Sequence, residues 1–212
     1  QKETNNGSYV ISADLDDDGD MDLFVGGGVT PGKFPRHDNN MLLRNDKGKF
    51  TNITPAEMNN TGLVNYAAWG DMDGDSKNEL LIAGEWMPVM IFKKTGDQWM
   101  KNDATVSIKS LVDKRESAAL SDLSGWWNTI KLFDIDKDGD LDIIAGNRGV
   151  NSKIRATIAE PCTIYAKDFD NSVSYDAVLG YYIYGKCYPM YHRDQLIDQM
   201  PFMRKNFYRF RM

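Results

Sequence analysis

The chain has 212 residues, 42% of them apolar and 11% aromatic, enough to bury a core and too much for a disordered segment. Its 31 acids against 25 bases leave a formal charge of −6, which argues against a general nucleic-acid binder. No apolar run reaches the ~18 residues of a membrane-spanning helix, and two cysteines, Cys162 and Cys187, are too few for a disulfide scaffold.

In chain order, the first predicted strand is SYVISA, followed at once by the acidic run Asp14-Leu-Asp16-Asp-Asp18-Gly-Asp20-Met-Asp22 and then by the apolar LFVGG. NNMLLRND and GKFTNIT read as two more strands around a Lys-Gly turn. The pattern then restarts. VNYAAWG leads into Asp71-Met-Asp73-Gly-Asp75-Ser-Lys-Asn-Glu79, LLIAG follows, and MPVMIFKK and DQWMKND flank a Thr-Gly turn. A third copy runs WNTIKLF, Asp134-Ile-Asp136-Lys-Asp138-Gly-Asp140-Leu-Asp142, IIAG. It lacks the two outer strands, having only GVNSKIRATIAEP before the fourth copy. That copy is CTIYAK, the weaker loop Asp168-Phe-Asp170-Asn-Ser172-Val-Ser-Tyr-Asp176, and AVLGYY. Beyond it, HRDQLIDQMPFMRKNF spaces Leu196, Ile197, Met200, Met203 and Phe207 as helices do. Pro201 splits that segment into two short helices.

The unit is therefore strand, acidic loop, strand, glycine turn, with loop starts 57, 63 and 34 residues apart. Four short strands per ~60 residues is the signature of a β-propeller blade. The expected fold is all-β, built of four-stranded antiparallel blades, with a short helical insertion near the C-terminus. A single propeller region spans 1–212, with units at about 8–58, 64–105, 126–150 and 161–212. Two full and two partial units make at most four blades, where propellers close with four to eight. The chain ends at RKNFYRFRM without a closing strand, so it reads as part of a longer protein.

The four nine-residue loops hold 18 of the 31 acids. Two unit charges ~4 Å apart interact by about 4 kcal/mol at an effective dielectric of 20. Four converging carboxylates would cost several times that, against a total stability of roughly 5–15 kcal/mol. A divalent cation reverses the sign. Hard oxygen ligands in this number suit Ca²⁺, with Mg²⁺ second because it demands a stricter octahedron. Positions 1, 3 and 5 point inward as the loop curls, and glycine at 6 (Gly19, Gly139) permits the positive φ of a sharp turn. Position 7 ligates through its carbonyl, which leaves its side chain unconstrained: Asp20, Lys77, Asp140 and Ser174. An acid at 9 closes the site.

The expected metal residues are thus Asp14, Asp16, Asp18, Asp20 and Asp22; Asp71, Asp73, Asp75 and Glu79; Asp134, Asp136, Asp138, Asp140 and Asp142; and Asp168, Asp170 and Asp176. Together they would hold two to four calcium ions. An EF-hand fails in every copy, because its position 12 falls on Val25, Ile82, Ala145 and Leu179, inside the strands. The competing reading is an acidic turn without metal. It weighs most on loop 4, where Ser172 removes a charge and Val173 resists a positive φ. In loop 2, Ser76 replaces the position-6 glycine and Gly74 is expected to relieve the turn.

Asp-x-Asp-x-Asp-Gly-x-x-Asp-Leu between such strands resembles the FG-GAP/VCBS repeat, found also in integrin α-subunit propellers. LLRNDKGKFTNITPA, GEWMPVMIFKK, SGWWNTI and AGNRGVNSK further resemble bacterial, Bacteroidetes-like surface proteins related to cartilage acidic protein, the ASPIC/UnbV class. The resemblance implies a calcium-stabilised propeller, secreted or on the cell surface, larger than four blades, with adhesion or ligand binding as its role.

Other features carry less. His37 and His192 have no partner motif, and no Gly-x-Ser-x-Gly, P-loop or Cys-His pairing occurs. Gly26 to Gly28 follow a strand without a helix behind them, which is not a phosphate cradle. Trp86, Trp126 and Trp127 with Tyr181, Tyr182 and Tyr184 make either a sugar-stacking platform or packing between blades. Arg204, Lys205, Arg209 and Arg211 interleave with aromatics at the tail, either as an unfinished amphipathic segment or, less favoured, as a surface for membrane or nucleic acid, and Asn6, Asn52 and Asn59 lie in glycosylation-type sequons. Two functions are expected from different classes: a non-enzymatic module binding an extracellular protein or glycan, or a scaffold for an extracellular carbohydrate-active enzyme. Every clustered carboxylate already has a metal to bind, which favours binding over catalysis.

Overall fold

Apolar and β-branched runs on either side of each acidic loop form antiparallel strand pairs, as their alternation requires. The computed structural model describes residues 5–59, 61–107, 117–149, 154, 156–157 and 159–206. Two units separate within the chain: Gln1–Val29 with Arg36–Arg148, and Thr30–Pro35 with Gly149–Met212.

In the larger unit, β1 (Gly7–Ala13), β2 (Asp22–Gly27), β3 (Met41–Asp46) and β4 (Lys49–Asn52) form a four-stranded meander in sequence order. The second repeat supplies β5 (Leu63–Gly70), β6 (Glu79–Met87), β7 (Met90–Thr95) and β8 (Gln98–Asn102), paired the same way. A two-stranded ribbon absent from the sequence reading follows, β9 (Thr105–Ser107) with β10 (Ser117–Ala119). The third repeat is only β11 (Gly125–Phe133) and β12 (Asp142–Asn147).

This third repeat is hydrogen-bonded to the second. Its Gly125 and Trp126 pair with Met87 and Glu85, so β11 joins the second sheet. The reason lies in the length of β6. β7 covers one edge of β6 only over Leu80–Ile82, and the residues beyond leave that edge open for β11.

β6 begins with the buried Glu79 and continues as LLIAG, an unbroken apolar run buried on both faces. Leu80 and Ile82 pack with Phe24, Leu42, Val64 and Phe92 on one side, and Leu81 and Ala83 with Ile91, Leu120 and Ile130 on the other. The two faces of β6 thus belong to two separate core clusters.

The strand-end glycines are not turns. Gly84 and Gly146 lie inside β6 and β12 and Gly180 inside the later strand Asp176–Ile183, and in the first three repeats the glycine stands beside a register shift in the preceding strand. The residue skipped there is Ser8, Asn65 or Asn128, each six residues before position 1 of its loop. Such bulges bend a strand and bring backbones close. A Cβ on Gly84 would sit 1.7 Å from the Leu63 carbonyl oxygen. Gly84→Ala should therefore destabilise by about 3 kcal/mol or more, since backbone rather than a side chain must yield. A denaturant midpoint unchanged from wild type would contradict this. Ser8 Oγ and Asn65 Nδ2 also donate to Val64 and Trp127, the equivalent carbonyls of the next repeat.

The smaller unit contains β13 (Thr163–Lys167), β14 (Asp176–Ile183) and β15 (Lys186–Pro189) as a three-stranded sheet. The helix α1 (Arg193–Gln199) then gives way at Pro201 to a 3-10 turn over Pro201–Asn206, the split that proline dictates. Leu196 and Met200 are buried, and Cys162 and Cys187 are free thiols. Phe207, Tyr208, Arg209, Phe210 and Arg211, and six of the thirteen residues of GVNSKIRATIAEP, lie outside the described residues. The fold is thus all-β with antiparallel sheets of unequal strand number and one short helix.

Candidate metal centres

Each loop joins the first two strands of its repeat, and all four fold alike. Positions 4 and 6 both take a positive φ: Asp17 and Gly19, Gly74 and Ser76, Lys137 and Gly139, Asn171 and Val173. Position 4 escaped the sequence reading, although Asp, Asn and Gly, three of its four residues, are the types that tolerate this region. Gly74 answers position 4, so it does not relieve position 6, and Ser76 itself stands at φ 66°.

Two hydrogen bonds recur in every loop. The position-1 carboxylate accepts from the position-6 N–H: Asp14 from Gly19, Asp71 from Ser76, Asp134 from Gly139 and Asp168 from Val173, at 2.8–3.1 Å. The position-9 carboxylate accepts from the position-2 N–H: Asp22 from Leu15, Glu79 from Met72, Asp142 from Ile135 and Asp176 from Phe169, at 2.7–3.1 Å. Asp18, Asp75 and Asp138 at position 5 accept from the position-7 N–H, a bond for which Ser172 has no carboxylate. These bonds fix the curl without any ion and aim the remaining carboxylate oxygens at one another.

Carboxylate oxygens of Asp14, Asp16 and Asp18 lie within 4.8 Å of one another, as do those of Asp71, Asp73 and Glu79, of Asp134, Asp136 and Asp142, and of Asp168, Asp170 and Asp176. The other expected residues stand outside these trios. Asp22 is fully buried, and besides Leu15 it takes the Asn45 N–H at 2.7 Å, tying loop 1 to β3. Asp20 Oδ2 takes the Lys47 N–H at 2.7 Å and so caps the β3–β4 turn. Asp75 is engaged by Lys93, and Asp138 and Asp140 bond to each other through the Asp140 N–H.

The electrostatics follow the crowding. Partial desolvation and then the carboxylates of Asp18 and Asp22 push the Asp16 carboxyl above its ordinary range. The neighbouring Asp138 carboxylate, then desolvation, does the same to Asp136. Burial raises Glu79 despite the Met72 N–H. Asp75 moves the other way, lowered by its hydrogen bond from Lys93, and that ammonium is held charged well above the usual lysine range by Asp73 and Asp75. One atom in loop 1 lacks any partner: Asp14 Oδ1 is buried from solvent and accepts no hydrogen bond. A buried anionic oxygen left this way is costly unless a cation meets it.

The aromatics divide. Trp86 and Trp126 meet edge to face with centroids 5.0 Å apart, and the Arg148 guanidinium stacks 4.8 Å above Trp126. Trp86 Nε1 is buried and both indoles are half-buried, so the pair packs at the β6–β11 junction.

A family model described as an FG-GAP-like repeat matches residues 14–82, from the first residue of loop 1 to three residues past the end of loop 2. No curated protein and no solved structure matches the chain. No described helix is long and apolar enough to cross a membrane. Residues 14–82 thus carry the FG-GAP-like pattern, and loops 3 and 4 repeat its hydrogen bonding in the structure.

Proposed function

We propose that the chain is a calcium-stabilised repeat module, its strand units serving as propeller blades in a secreted or cell-surface protein that binds an extracellular protein or glycan without catalysis. The observation that carries the calcium reading is Asp14 Oδ1, a buried carboxylate oxygen with no hydrogen-bond partner, beside the Asp16 and Asp18 carboxylates. Asp14, Asp16 and Asp18 would hold the ion in loop 1, and Asp134, Asp136 and Asp142 in loop 3. An all-oxygen donor set of this charge favours calcium over softer metals. The FG-GAP-like match and the millimolar calcium of extracellular fluids agree with an external location. The ion would supply no chemistry to a substrate. It would offset carboxylate repulsion and lock the strand pair on either side of the loop.

Titrating calcium calorimetrically into chelator-stripped protein should give at least two sites per chain, with magnesium binding more weakly. Fewer than two sites would sink the reading of loops 1 and 3. A glycan array probed with and without calcium tests the ligand half of the proposal: a calcium-dependent glycan hit supports it, and turnover of any arrayed sugar would instead favour an enzyme.

A further inference from the structure

Lys93 on β7 reaches into loop 2. Its ammonium contacts the carboxylates of Asp73 and Asp75, the latter at 2.9 Å, and lies 3.6 Å from Oε1 of the buried Glu79. Those are positions 3, 5 and 9, three of the loop's four acids.

The first repeat provides an internal comparison. Leu43 on β3 pairs with Leu23, and Phe92 on β7 pairs with Leu80, where Leu23 and Leu80 are the residues just after position 9. The next residue along each strand is a cation, Arg44 in one repeat and Lys93 in the other. The two cations behave differently. Arg44 turns to its own hairpin and places Nε and Nη2 at 3.2 and 3.1 Å from Asp46 Oδ2, two residues on. In β7 the residue two on is Thr95, which offers no charge. The hairpin's one acid, Asp97, lies in the turn, and the ion pairs of Lys93 go instead to Asp73, Asp75 and Glu79, so a compact ammonium on a flexible stem settles among the loop carboxylates.

We infer that Lys93 is a tethered cation that fills loop 2 in place of calcium, so that loops of one sequence pattern divide into a self-neutralised kind and a calcium-dependent kind. This rests on reading the loops as cation sites. Calcium entering loop 2 has to displace an ammonium from three carboxylates and meets like charge as it does so. The second repeat, whose β6 is shared by both core clusters, then keeps its strand pairing when calcium is scarce.

The test counts calcium ions bound per full chain by calorimetric titration. Lys93→Met should add one ion to the wild-type count, and adding Asp73→Asn to that variant should remove it again. Asp73→Asn alone, with Lys93 in place, should leave the count unchanged. Should Lys93→Met not fold in chelator, Thr95→Asp serves instead. It keeps the charge, draws Lys93 off as Asp46 draws Arg44, and should tighten loop 2 for calcium at least tenfold. A wild-type chain that loses an ion on Asp73→Asn overturns the inference, and so does a count unmoved by both Lys93→Met and Thr95→Asp. A wild-type count of two with no gain refutes Lys93 as the occupant and leaves calcium in loops 1 and 3 standing. A wild-type count of zero with a gain of one does the reverse.

Discussion

Asp14→Asn should lower the melting temperature by about 5–11 °C in calcium and hardly at all in chelator. A ligand bound only by the folded state adds about 2.7 kcal/mol at a hundredfold excess over its Kd. For a chain of this size each kcal/mol moves the midpoint by roughly 2–4 °C. Asparagine keeps an oxygen for the Gly19 N–H, so the curl of the loop survives. What it removes is a charge and the ion that charge holds. Without calcium that loss relieves repulsion from Asp16 and Asp18, which offsets any weakening of the remaining bond. Asp134→Ala at loop 3 is a harsher test. It also strands the Lys137 and Gly139 N–H groups, bonded to Asp134 at 2.7 and 3.1 Å, and should cost stability in both buffers. Equal shifts for Asp14→Asn with and without calcium would mean that its carboxylate is a structural acceptor and no more.

The loops were legible in the sequence because their spacing is a property of one short segment. Acids at 1, 3 and 9 recur in all four copies, and the structure brings acids of each copy together. The helix break at Pro201 was legible for the same reason: a single residue removes a donor and clashes with the preceding turn. What escaped depended on contacts between segments. The glycines after each loop look like turns when read locally, but Gly84 is glycine because the Leu63 carbonyl of a neighbouring strand passes where a Cβ would be. The merging of β11 with the second sheet depends on how far β7 covers β6, which no periodicity reports. Lys93 could have been found by aligning MLLRND with MIFKKT as equivalent strands. That sets Arg44 against Lys93 and Asp46 against Thr95, and the missing acid is the signal.

Loop 4 separates the backbone of the motif from its charge. Ser172→Asp combined with Val173→Gly should tighten its calcium binding at least tenfold, about 1.4 kcal/mol. The loop already has the shape of the others: Asn171 and Val173 take the two positive φ values, and both recurring hydrogen bonds are present. The gain therefore cannot come from refolding it. Three deficits remain. Ser172 brings no carboxylate to position 5, and affinity in such loops is tuned by ligand charge and rigidity. Asp176 is already engaged at both oxygens, by the Phe169 N–H at 3.1 Å and by Gln199 of α1 at 3.4 Å. Val173 holds φ 76°, a conformation that costs a β-branched residue on the order of 1–2 kcal/mol. The residue is 77% exposed, so trimming its side chain forfeits little packing. Val173→Gly alone should then raise stability in chelator by about 1 kcal/mol, after the larger unfolded-state entropy of glycine is counted. Ser172→Asp alone should lower it, because a fourth acid without an ion adds repulsion. The two single variants move in opposite directions without calcium, and only the pair should bind it well. If the native loop already binds as tightly as loops 1 and 3, charge count does not set affinity in these repeats, and the shared backbone alone must do so.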